Sequence, residues 1–113
     1  MNGEIDLELY TISIIALNNA LEKPDDSKDS FKEIAENLQD FYDDVIDDLN
    51  QEELQMNEYY LFFENGKRTF PQYIETLKEI SNEYNKDSID TLINVFENLN
   101  RISAAFPAQD MVQ

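Results

Sequence analysis

Apolar residues return every three or four positions along nearly the whole chain, and only five residues, Gly3, Pro24, Gly66, Pro71 and Pro107, are of the types that interrupt a helix. Strands have a period of two, so a pattern of this kind leaves little room for them. The spacing predicts an all-α protein, a compact antiparallel bundle of four or five short helices with short connections. At 113 residues the chain is expected to form a single helical domain, 1–113, with no disulfide or metal needed to hold it.

The first helix is expected from Glu4 to Leu21. Leu7, Tyr10, Ile14, Leu17 and Leu21 form one stripe, and Ile5, Leu9, Ile12 and Ala16 a second. With most of its circumference apolar, it is expected to be the most buried helix or to supply half of an oligomer interface. Lys23-Pro24 stops it. After a polar loop, Asp25 to Asp29, Ser30 and Glu33 have the spacing of a capping box, and the stripe Phe31, Ile34, Leu38, Phe41, Val45, Leu49 follows. Asn50 with Glu53 predicts a third helix, Gln51 to Glu64, which Asn65-Gly66 is expected to end because glycine tolerates the left-handed conformation past a helix C-terminus. Thr69 and Gln72 then restart the chain, with Pro71 in the first turn of a helix carrying Phe70, Tyr73, Leu77, Ile80 and Tyr84. Asp87 or Ser88 caps a last helix carrying Ile89, Leu92, Phe96, Leu99 and Phe106; Pro107 ends it, and 107–113 reads as a loose tail. The alternative for 58–70 is a β-hairpin around Asn65-Gly66.

The chain has no histidine and no cysteine. The commonest general base, nucleophile activator and transition-metal ligand are therefore missing together, and no Gly-rich phosphate loop or activated nucleophile is present. A non-catalytic protein without a cofactor is expected. The formal charge of −17 argues against direct contact with nucleic acid or anionic membrane, both polyanions. The N-terminus carries acids where a signal peptide carries cations, and the longest mostly apolar run, Leu9 to Leu17, falls far short of the ~20 residues that span a bilayer. The expected location is the cytoplasm.

The charge is concentrated. From Glu22 to Glu64 there are 15 acidic residues and 3 lysines. Wound as a helix, Glu33, Glu36, Asp40, Asp43, Asp44, Asp47 and Asp48 fall on one arc, opposite the stripe from Phe31 to Leu49. Asp40, Asp44 and Asp48 recur every ~6 Å along it. Each like-charge pair four residues apart costs a few tenths of a kcal/mol, and ordinary solvated faces relieve this by mixing signs. The uncompensated ridge predicts a landing surface for a basic protein. In Tyr59 to Phe63, YYLFF, five large residues point all round a helix; Tyr60 and Phe63 are the candidate aromatic anchors of the same kind of interface.

Two motifs touch on metal chemistry. DDVID, Asp43 to Asp47, resembles the DDxxD pattern of isoprenoid synthases, which are much larger and carry a second metal motif that this chain lacks. Asp25 to Glu36 resembles an EF-hand loop, with Asp25, Ser27, Asp29 and Glu36 at ligand positions 1, 3, 5 and 12, but Ser30 stands at the glycine position and Lys32 where an apolar residue belongs. A helix cap at Ser30 accounts for the same residues. In size and charge the chain resembles small phage- or plasmid-borne inhibitors that act as nucleic-acid mimics, which implies an antagonist that blocks the site of a basic, nucleic-acid-acting protein. The alternatives are a toxin or bacteriocin immunity protein, by analogy of fold alone, and an assembly component that forms a homodimer through the first helix.

Overall fold

The structure, a computed structural model, describes residues 7–49, 56–81 and 86–105. Four α-helices make it up: α1 Leu7–Glu22, α2 Lys28–Leu49, α3 Met56–Ile80 and α4 Lys86–Ala105, with one 3-10 turn, Pro24–Asp26, between the first two. The chain is an all-α compact bundle of four short helices.

Pro24 ends α1 as expected, and the reversal that follows is tight. The Asp26 N–H donates to the Lys23 carbonyl at 3.1 Å and the Ser27 N–H to the Pro24 carbonyl at 3.2 Å. The Ser27 hydroxyl donates back to the Lys23 carbonyl at 2.8 Å. With the turn closed this way, α2 starts earlier than the capping box suggests: the Phe31 N–H already donates to the Ser27 carbonyl at 2.9 Å. Ser30 is therefore inside the helix. The same geometry removes the EF-hand reading, because residues 28–36 are helical and the twelve-residue loop does not form. Likewise α4 starts at Lys86, which places Asp87 and Ser88 inside its first turn. The expected start at Asn50 and Glu53 and the tail 107–113 lie outside the described residues.

The larger departure is α3. It runs unbroken through Gly66 and Pro71, so there is neither a break after Glu64 nor a hairpin. Glycine costs a helix interior about 1 kcal/mol and proline about 3 kcal/mol. Against this, Phe63, Phe70 and Leu77 are fully buried along one face of α3. Burying each such side chain contributes ~1.5–3 kcal/mol, and a break at residues 65–66 would take Phe63 and Phe70 off their shared stripe. Burial outweighs the two helix breakers. Pro71 faces outward, where its ring displaces no core packing, and Gly66 is buried beneath the ring of Phe70.

α1 and α2 form one helical hairpin, α3 and α4 the other, and α2 lies against α4. α1 reaches α3 through long side chains. The Tyr10 ring meets Phe62 edge-on at 4.9 Å, and the Tyr73 hydroxyl donates to Asn18 Oδ1 at 3.0 Å. Since residue 10 meets 62 and residue 18 meets 73, α1 and α3 run in the same direction, and α2 and α4 both run against them. Rings from all four helices tie the core together: Phe41 of α2 lies 5.1 Å from Tyr10 and 5.5 Å from Phe62, and Phe96 of α4 lies 5.9 Å from Phe70. Tilted and edge-on pairs of this kind add to the area they bury. Burial pushes the Tyr10 hydroxyl well above its usual range, and the nearby Tyr73 adds to the effect.

The expectation that the first helix is the most buried is overturned. α1 fully buries only Ser13, Leu17 and Ala20, and leaves Ile12 and Ile15 more than half exposed. α4 takes the central place, burying Ile89, Leu92, Val95, Phe96 and Leu99 between α2 and α3. The physical reason is the number of neighbours. α1 has a close neighbour on one side, and two apolar stripes on a helix do not supply a second.

Candidate functional site: the outward face of the second helix

α2 separates its residues cleanly. Phe31, Ile34, Ala35, Leu38, Phe41 and Val45 are buried, and Glu33, Glu36, Asp40, Asp43, Asp44 and Asp47 are exposed. The cause is the period of the sequence: once the apolar stripe is pinned between α1 and α4, the carboxylates have no direction left but solvent. Asp48 lies in α2, with its side chain outside the described residues. The Gln39 amide donates to Asp43 Oδ1 at 3.1 Å, one turn along the helix. Only Lys28 and Lys32 carry positive charge in α2, both in its first turns.

The tertiary fold adds one feature that the sequence does not signal. A groove of about 330 Å³ runs between α2 and α4, lined on the α2 side by Lys32, Ala35, Glu36 and Asp40 and on the α4 side by Asp87, Ser88 and Thr91. Asp87, read from sequence as a cap, is exposed on the far wall of this groove and extends the acidic surface onto a second helix. The surface between α3 and α4 has a different character. There a groove of about 710 Å³ between α3 and α4 mixes Lys78 and Arg101 with Glu75 and Glu97, and Lys78 pairs with Glu97 at 3.4 Å. Among the described residues, no group of three or more carboxylates is placed to hold a metal ion. No described helix is long and apolar enough to cross a membrane.

One of the two expected aromatic anchors, Phe63, is overturned. Phe63 is fully buried, with its ring 4.9 Å from Phe62, so it is a core residue and cannot anchor a partner. Tyr60 lies in α3, with its side chain outside the described residues. Among the described members of YYLFF, Leu61 to Phe63, the one that turns outward is Leu61, at 76% exposure. Five large residues in a row give no periodic signal to rank them, so only the packing of α3 could separate Leu61 from Phe63. No protein-family model, curated protein or solved structure matches this chain.

Proposed function

We propose that this protein is a small non-catalytic antagonist that lays the outward face of α2 into the nucleic-acid site of a basic protein. The observation that carries the reading is the row of exposed carboxylates from Glu33 to Asp47 on a single rigid helix. α2 holds eight acidic residues over 22 positions. At ~1.5 Å rise per residue that is one carboxylate per about 4 Å, close to the ~3.4 Å between phosphates along one strand of DNA. A cleft lined with Lys and Arg for phosphates would find carboxylates at nearly the same linear density. A rigid rod presents them at little cost in ordering, and a field of this sign speeds the encounter with a cationic surface.

Affinity capture from the host, followed by identification of the bound protein, tests the reading. The expected catch is a basic, nucleic-acid-acting protein whose binding weakens steeply as salt rises. Replacing Asp40, Asp44 and Asp47 together with Asn should weaken that binding at least tenfold, about 1.4 kcal/mol, mainly through slower association. Capture of a toxin instead would assign the same face to immunity. Equal binding by the parent and the triple variant would reduce the ridge to a solvated helix face.

A further inference from the structure

We propose that α1 pairs with α1 of a second copy through its outward face, forming a weak two-fold dimer. From Leu9 to Leu21 the helix contains no charged residue, in a chain whose residues are 29% charged. On its outward side Thr11, Ile12, Ile15, Asn18 and Asn19 are exposed, with Ile12 at 55% and Ile15 at 57%. Single exposed apolar residues are ordinary on any surface. Two β-branched residues one turn apart, centred in a charge-free stretch, form a patch.

Charge decides what covers it. A basic partner is drawn to the carboxylates of α2 and finds no counter-charge on the centre of α1. The surface that matches a neutral face of isoleucine, threonine and asparagine is another neutral face, and this chain supplies one in every copy. Two copies that meet through this stretch bring no like charges together at its centre, whereas contact through the α2 faces would oppose two rows of carboxylates. A two-fold contact is self-complementary, so an antiparallel crossing at Ile15 sets the two Ile15 side chains together and each Ile12 beside Asn18 and Asn19 of the other copy. The same register brings Glu8 of one copy toward Glu22 of the other at the rim. Those like charges, together with a face far smaller than the ~20–30 residues a side of a standard interface, keep the pairing weak. A dissociation constant on the order of 100 μM is expected.

Sedimentation equilibrium on the full chain tests this. Between about 10 μM and about 1 mM the average mass should rise from 13.2 kDa toward twice that value. The rise should be larger at about 0.5 M salt than at about 0.05 M, because screening relieves the repulsion. Ile15→Asp should stay monomeric at every concentration with unchanged helical circular dichroism, and Ile12→Asp should do the same. Leu61→Ser, which removes the exposed leucine of α3, should dimerise like the parent. A parent that remains monomeric at 1 mM in high salt, an Ile15→Asp variant that still dimerises, or a dimer abolished by Leu61→Ser would each overturn the proposal. The pairing does not depend on what α2 binds, and the opposite salt responses keep the two tests separate.

Discussion

The ring of Phe70 lies over Gly66, one turn back along α3, so closely that a Cβ on Gly66 would sit 2.6 Å from Phe70 Cζ and 2.7 Å from Cδ2. The glycine is thus a packing requirement and not a helix terminator. Gly66→Ala should gain about 1 kcal/mol of helix propensity and lose more to overpacking, for a net destabilisation of about 1–2 kcal/mol. Pro71→Ala, on the exposed side of the same helix, should stabilise by about 1–3 kcal/mol. Urea denaturation of the two variants reads both signs; a more stable Gly66→Ala protein would show that the Phe70 ring can move aside at no cost.

Within YYLFF the fold assigns opposite roles to two residues two positions apart. Phe63→Ala should cost about 3–5 kcal/mol, because it empties a fully buried ring position. Leu61→Ala should change stability by less than about 0.5 kcal/mol. Thermal melts of the pair separate core from surface directly, and similar losses for both would mean that Leu61 is covered in solution.

The acidic face of α2 is expected to strain the fold it decorates. Asp40→Asn, Asp44→Asn and Asp47→Asn together should leave helicity unchanged and raise stability by a few tenths of a kcal/mol for each like-charge pair relieved. Added sodium chloride should raise the melting temperature of the parent more than that of the triple variant, since screening relieves the same repulsion. A melting temperature that is equally insensitive to salt in both proteins would remove electrostatic strain from the account of α2.

Tyr10 sets an alkaline limit. Its hydroxyl is held protonated in the fold by burial, with Tyr73 adding to the effect, whereas in the unfolded chain it ionises near the ordinary value of about 10. The folded state therefore binds more protons than the unfolded state above that pH. Stability should be unaffected by this group below about pH 10 and fall by about 1.4 kcal/mol per pH unit above it. Tyr10→Phe should flatten the alkaline limb of stability measured by urea titration between about pH 9 and pH 11.5, with little change in slope at neutral pH. Parallel alkaline limbs for the two proteins would place the Tyr10 hydroxyl in contact with water.

Local pattern determined much of this protein. The spacing of Phe31, Ile34, Leu38, Phe41 and Val45 is enough to orient α2, and with it to turn Glu33, Glu36, Asp40, Asp43, Asp44 and Asp47 outward, because a period of 3.6 leaves one face for each class of residue. Pro24 ends α1 because proline lacks the N–H and the polar run Asp25 to Ser30 that follows offers no burial to offset the loss, as Phe70 and Leu77 do on either side of Pro71. Other features were decided only by the tertiary structure. The continuity of α3 depends on Phe63 and Phe70 reaching one core, a gain that local helix breakers do not register. The exposure of Ile12 and Ile15 depends on how many helices surround α1, and periodicity says which side of a helix is apolar without saying how many neighbours will cover it. Asp87 joins the acidic surface because α4 lies against α2, a contact between residues far apart along the chain. Sequence pattern sets the faces of single helices; which faces are covered is an energy balance over the whole bundle, and the bundle exists only once the helices have met.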